Sequence, residues 1–171
     1  MTLNNVTITN NTAENDPAAK GHGGGAYSGG TFTVLNSIIA GNFDKSATNS
    51  KPDCSGAFIT GGYNLIGNDA GCTGFTNGVS GDKVGTSSTP LDAKLDALKD
   101  NGGGTLTHAL VSSSPALNAG NPAAPGSSIS ACLPTDQRGV TRPQGSFCDM
   151  GAFELQLNGA NLHLYLPLIQ R

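Results

Sequence analysis

The sequence predicts an all-β fold in which short strands and tight turns repeat into a solenoid. Three observations carry this expectation. Gly supplies 25 of 171 residues while charged side chains make up only 12%, roughly double and half their ordinary shares of about 7% and 25%. Asn-centred strings recur at similar intervals. The apolar residues within them fall at equivalent positions instead of scattering. Gly and Asn tolerate positive φ and Thr favours strands, so this mixture suits short strands joined by many turns. Disorder is the rival for a chain poor in Leu, Ile, Val and Phe, but it is sustained by high net charge, and the net charge here is −3.

The first string, Leu3-Asn4-Asn5-Val6-Thr7-Ile8-Thr9-Asn10-Asn11, matches Val34-Leu35-Asn36-Ser37-Ile38-Ile39-Ala40-Gly41-Asn42. Asn5 aligns with Asn36, Ile8 with Ile39 and Asn11 with Asn42, so one offset serves all three pairs. A shorter copy, Tyr63-Asn64-Leu65-Ile66-Gly67-Asn68, places Ile66 after Ile39 at a slightly smaller offset. A period in the twenties to low thirties fits one coil of a solenoid with loops of variable length. Ile8, Ile39 and Ile66 are expected to point inward and stack. The asparagines are expected at left-handed corners, with their amides bonded from coil to coil as a ladder. Gly23-Gly24-Gly25-Ala26-Tyr27 and Gly29-Gly30-Thr31-Phe32-Thr33-Val34 supply further turns and strands. Thr31 and Thr33 alternate with Phe32 and Val34, the period of a half-buried strand.

Residues 43–62 read as loop, and residues 69–88 are again rich in Gly, Ser and Thr. One short helix is predicted over residues 89–100. Thr89 would cap it, Pro90 would open it, Leu91, Leu95 and Leu98 would share one face, and Asn101-Gly102-Gly103 would stop it. Thr105-Leu106-Thr107-His108-Ala109-Leu110 reads as a strand. The organisation expected is coils over 1–88, an irregular C-terminal cap over 89–154 and a tail over 155–171.

Cys54 with Cys72 and Cys132 with Cys148 form two sequence-local pairs. An even count in such a chain reads as disulfides in an oxidising compartment. Three connectivities are open, and the local one is preferred. No Cys-x2-Cys spacing occurs and the three His are remote from one another, which argues against zinc. A pI near 5.4 and the lack of basic runs argue against nucleic acid. No apolar run approaches the ~20 residues that span a bilayer. No signal-peptide pattern follows Met1, so the remainder of a longer chain is expected upstream.

The richest polar cluster is Asp136, Arg138, Arg142, Asp149 and Glu154. Read as a catalytic set, it offers a base and charge stabilisation. Read as a structural set, its arginines pair with its acids and tie irregular segments together. The structural reading is preferred, and no catalytic or metal-binding residue is assigned. His22 and His108 stand alone, no Gly-x-Ser-x-Gly elbow occurs, and Gly21-His22-Gly23-Gly24-Gly25 lacks the Lys-Ser/Thr of a phosphate loop.

Several strings in order resemble the choice-of-anchor Q domain of bacterial surface β-helix proteins. They are Asn101-Gly102-Gly103-Gly104-Thr105-Leu106-Thr107-His108-Ala109-Leu110, Ser114-Pro115-Ala116-Leu117-Asn118-Ala119-Gly120, Asp136-Gln137-Arg138-Gly139 with Arg142-Pro143, and Cys148-Asp149-Met150-Gly151-Ala152-Phe153-Glu154. Pro52-Asp53-Cys54-Ser55-Gly56 and Asn64-Leu65-Ile66-Gly67 fit it too. The resemblance covers about residues 1–154. It implies a right-handed parallel β-helix, here of about three coils, together with export and an extracellular or cell-surface location. It implies no defined reaction. Gly104 stands where family members often carry Pro, and Asp96-Ala97 stand where Gly-Pro is frequent. The tail Leu162-His163-Leu164-Tyr165-Leu166-Pro167-Leu168-Ile169-Gln170-Arg171 is similar to terminal tails of exported bacterial proteins.

The function expected is therefore a secreted or cell-surface module with a structural or adhesive role, whose partners are polysaccharide or other cell-surface components. The alternative is a polysaccharide lyase or glycoside hydrolase of the pectate-lyase-like type. A lyase of that type gathers carboxylates around calcium, and a hydrolase needs two carboxylates on one face. Asp44, Asp53, Asp69 and Asp82 are spread along the chain, and no acid pair recurs from coil to coil. No cofactor is assigned, and calcium belongs to the lyase alternative alone.

Overall fold

The computed structural model describes residues 1–13, 22–46 and 50–156. These residues are all-β, without a helix. In chain order the strands are Thr2–Asn4 (β1), Thr7–Ile8 (β2), Thr12–Ala13 (β3), Ala26–Ser28 (β4), Thr33–Leu35 (β5), Ile38–Ile39 (β6), Phe43–Asp44 (β7), Cys54–Ala57 (β8), Ile59–Gly62 (β9), Leu65–Ile66 (β10), Cys72–Thr73 (β11) and Lys83–Val84 (β12). The strand pairs are parallel. The sheets are β1-β5-β9, β2-β6-β10-β12, β4-β8-β11 and β3-β7. Each pass of the chain thus returns to the sheets it visited on the pass before. Of the tail expected at 155–171, only Leu155 and Gln156 are among the described residues.

Sheet register reproduces the sequence repeats. Ile8 pairs with Ile39 and Ile39 with Ile66, the same partners that the Asn-centred strings align. A fourth, shorter pass pairs Ile66 with Val84. Ile39 and Ile66 are fully buried in one core with Val34, Cys54 and Phe58. Residues 43–62, read as loop, instead contain β8 and β9. Strands this short hold too few residues for an alternation to show, and the neighbouring passes stabilise them.

Adjacent residues of a strand face opposite sides of a sheet. Ile38 and Leu65 therefore point away from Ile39 and Ile66, into a second core with Ala93, Leu110, Ala116, Met150 and Phe153. The residues expected to cap the solenoid lie along this second face. Burial on both sides explains why β6 and β10 read as apolar doublets. The contact is close at Gly151, whose N–H donates to the Asn36 carbonyl at 2.7 Å. Its φ is +89°, and a Cβ there would lie 2.5 Å from Thr7 Oγ1 and 2.8 Å from Ile38 Cδ1. Only glycine meets both conditions.

The corners are left-handed as the asparagines predict. Asn5, Asn36 and Tyr63 form one column, with φ of +53°, +48° and +59°. Two columns run onward along the chain, while Asn36 Nδ2 donates back to Asn4 Oδ1 at 2.9 Å. Asn11 Nδ2 donates to Asn42 Oδ1, and Asn42 Nδ2 donates to Asp53 Oδ1, both at 3.0 Å. In a parallel column Asn64 Nδ2 donates to Asp82 Oδ1 at 3.0 Å. Amide-to-amide bonding holds at Asn11–Asn42 and Asn36–Asn4, and the two onward columns each end on a buried carboxylate.

The predicted helix over 89–100 is absent. Lys94 has φ of +51°, which a right-handed helix does not admit. The backbone bonds outward instead of to itself. Leu91 N–H donates to the Gly67 carbonyl, Asp96 N–H to Ala109 and Lys99 N–H to Thr107. Two antiparallel bridges, Leu95–Leu110 and Lys99–Thr107, join the segment to the residues read as a strand over 105–110. Leu91 and Leu95 pack on the second core, whereas Leu98 is exposed. The leucine spacing therefore marked two core contacts and a surface residue.

Both disulfides have the local pairing, Cys54–Cys72 and Cys132–Cys148. The first joins β8 to its neighbour β11. The second closes a short loop within the C-terminal segment.

Ile39→Ala empties a site with both vertical neighbours in place and is expected to cost about 2–5 kcal/mol, in the range for buried Ile truncation. Ile8→Ala, at a half-buried strand on the sheet edge, is expected to cost less. Urea unfolding of the two variants measures this, and equal losses would contradict the stacked arrangement.

Candidate functional site

The five residues of the predicted polar cluster come together, and they are interlocked. Asp136 Oδ1 accepts from the backbone N–H groups of Arg138 and Val140 at 2.8 and 3.0 Å. Its Oδ2 accepts from Arg138 Nε and from the Glu154 N–H, each at 2.9 Å. Glu154 Oε1 accepts from the Gln144 N–H at 2.8 Å, while Oε2 accepts from Arg142 at 2.7 Å and from the Asp149 N–H at 2.8 Å. Asp149 accepts the Asn118 and Leu155 N–H groups, one on each oxygen, at 2.7 Å. Arg142 also donates to the Asp149 and Gly151 carbonyls. Its Nε is buried without a partner among the described residues. Arg138 donates to the Asn101 and Glu154 carbonyls and lies 3.6 Å over the Phe153 ring.

This is a clamp joining residues 101, 118, 136–144 and 149–155. A general base needs a lone pair facing a substrate proton. The carboxylate oxygens here face backbone amides and guanidinium groups, and four of the five residues, all but Arg138, are buried. Desolvation works to raise the pKa of Asp136, but the Glu154 N–H and the Arg138 side chain outweigh it and hold the carboxyl below its ordinary value. Asp149 goes the other way. Desolvation pushes its pKa up from 3.8 to about 6, and the charge of Glu154 adds to this against the Leu155 and Asn118 N–H groups.

An open cleft of about 510 Å³ lies between the corners of successive passes and residues 90–97. Asn10, Asn42 and Asn68 line one side, and Asp92, Asp96 and His108 the other. Asp53 also borders it but is 2% exposed, accepting the Asn42 backbone N–H at 2.9 Å. Burial raises the pKa of Asp53 against these hydrogen bonds. Gly67 makes room, since a Cβ there would lie 2.6 Å from Asp53 Oδ2. His108 Nδ1 is 2.7 Å from the Asp96 carbonyl. A carbonyl only accepts, so Nδ1 carries the hydrogen and Nε2 of the neutral ring is an acceptor. Among the described residues no three His, Cys, Asp or Glu are grouped to hold a metal ion, and no helix is long and apolar enough to cross a membrane.

No family model, curated protein or solved structure matches the chain. Its functional reading rests on its own residues.

Sequence reasoning missed the roles of Asp53 and Asp82. A signal for Asp82 was present, because Asp82-Lys83-Val84-Gly85 aligns with Asn64-Leu65-Ile66-Gly67 in the register of the β10–β12 pair. The other carboxylates of the spread set differ in role. Asp44 accepts the Ser46 and Lys51 N–H groups, which holds a local turn.

Arg142→Met and Glu154→Gln each leave a buried partner uncompensated and are expected to cost about 3–5 kcal/mol. The double variant is expected to lose less than the sum. A double-mutant cycle in denaturant decides this, and additive losses would mean that the pair is not coupled. Asp149 has a raised folded pKa, so its stabilising contribution is complete below its unfolded pKa of 3.8 and is lost as pH rises through about 6. A carbon-13 titration of its carboxyl is expected to give a midpoint near 6, and the gain in Tm on going from about pH 7 to about pH 5 is expected to shrink in Asp149→Asn. A midpoint at the ordinary carboxylate value would sink this assignment.

Proposed function

We propose that the chain is a right-handed parallel β-helix module of an exported bacterial surface protein, akin to the choice-of-anchor Q domain, with a structural or adhesive role and polysaccharide as its ligand. Parallel strands that revisit the same sheets, with Ile8, Ile39, Ile66 and Val84 in one column, support about three coils with a partial fourth. Two disulfides support an oxidising, extracellular location, because such bonds persist there. The observation that carries the binding role is the division of the polar groups. The clamp uses the charged cluster internally, while the open cleft is lined by Asn10 and Asn68 at the repeat corners and by Asp92, Asp96 and His108. A row of acceptors and amides on a rigid wall suits the hydroxyls of a glycan chain.

The test is a panel of immobilised polysaccharides, with and without calcium, read for retention of the protein and for release of unsaturated products or reducing ends. Retention without turnover is expected. Turnover that survives purification would replace the adhesive role with a lyase or hydrolase, and its residues would be sought in the cleft at Asp53, Asp96 and His108. Absence of retention on every glycan would remove the binding role.

A further inference from the structure

The glycan reading leaves open which chemistry of sugar the cleft takes, and the cleft's charge bears on this. Asp53, Asp92 and Asp96 line it, with no Lys or Arg among the lining residues. Lys99 pairs with Asp96, but that pair is solvent-exposed and so is weak and readily exchanged. We propose that the cleft recognises a glycan bearing free amines, a hexosamine polymer, in preference to a neutral or uronate polymer, its ammonium groups meeting Asp92 and Asp96 while its hydroxyls donate to the acceptors along the wall. This rests on the glycan-binding reading above and narrows it.

The chemistry on the two sides is complementary. The Asp96 carbonyl accepts from His108 Nδ1–H, so that ring nitrogen is already partnered within the protein. Asp96 stays ionised, because the Lys99 side chain and the Ala97 N–H hold its pKa below the ordinary value. Asp92 is exposed, and its Oδ1 accepts the Lys94 N–H at 2.8 Å, which leaves Oδ2 for a ligand. A uronate carboxylate would enter a cleft of its own sign, and like charges brought together at an interface cost affinity. An amine of the ligand would find opposite charges at Asp92 and Asp96.

The experiment compares glucosamine oligomers, their N-acetylated counterparts and oligogalacturonates of equal length by calorimetry, in mildly acidic low-salt buffer that keeps the sugar amines protonated. A lysine-rich peptide serves as a control for charge alone. The glucosamine oligomer is expected to bind roughly tenfold more tightly than the acetylated one, with the advantage shrinking as salt is raised, and the uronate is expected not to saturate. The double variant Asp92→Asn with Asp96→Asn keeps Oδ1 acceptors for the Lys94 and Ala97 N–H groups. It is expected to lose the preference for the amine over the acetylated oligomer. Uronate binding as tight as the amine, an unchanged preference in the double variant, or equal binding of the peptide would each overturn this inference and leave the glycan reading in place. No binding by any oligomer would overturn both.

Discussion

The whole structure depends on register between successive passes of the chain. A two-residue strand such as Ile38–Ile39 has almost no stability of its own, and its backbone groups find partners only if the passes before and after arrive in step. When they do, Ile39 stacks between Ile8 and Ile66, and one alignment satisfies the hydrogen bonds and buries the apolar side chains together. A slip of one residue would turn every side chain to the opposite face of the sheet. The left-handed corners at Asn5, Asn36 and Tyr63 and the amide columns beside them guard against that slip, since Asn11 meets Asn42, and Asn64 meets Asp82, only when equivalent residues lie level.

The second face of the same sheet gives the C-terminal segment its place. Ile38 and Leu65 present an apolar surface that neither the interior nor solvent can hold, and residues 89–154 lie along it through Ala93, Leu110, Ala116, Met150 and Phe153. That segment has little regular secondary structure, so its own backbone bonds do not define it. The carboxylate–guanidinium clamp and the Cys132–Cys148 bond do so instead. Buried carboxylates that accept several backbone N–H groups act as local organisers for a chain that lacks helices and long strands to organise it.

The sequence announced the parts of this fold that repeat. The alignment of Asn5 with Asn36 and of Ile8 with Ile39 and Ile66, read from Asn and Ile alone, is the register of the sheets. The alternation over 31–34 overlaps β5 only at Thr33 and Val34, the cysteine pairs are those in the structure, and the residues of the clamp stand out as the richest polar cluster of the sequence. What stayed hidden follows from physics that short strings do not carry. Strands β8 and β9 are rich in Gly, Ser and Cys, and pairing with neighbours makes them strands, not propensity. Leu91, Leu95 and Leu98 have helical spacing, but the backbone over 89–100 gains more from the edge of residues 107–110 and from the Gly67 carbonyl than from a single isolated turn or two. The cleft was unreadable, because it forms where residues 90–97 fold back on corners far earlier in the chain.

The two onward amide columns have a direction. In each, an Asn donates onward and can accept from the pass before, so the column behaves as a wire of aligned dipoles that can lengthen by one asparagine per pass. A carboxylate has no N–H to hand on. Asp82, just before the outermost strand of its sheet, is therefore a terminator, and an Asn there would call for another acceptor above it. The number of rungs is in this sense written in the exchange of one side-chain nitrogen for an oxygen, a punctuation mark that a duplicated or deleted pass would have to carry along with it.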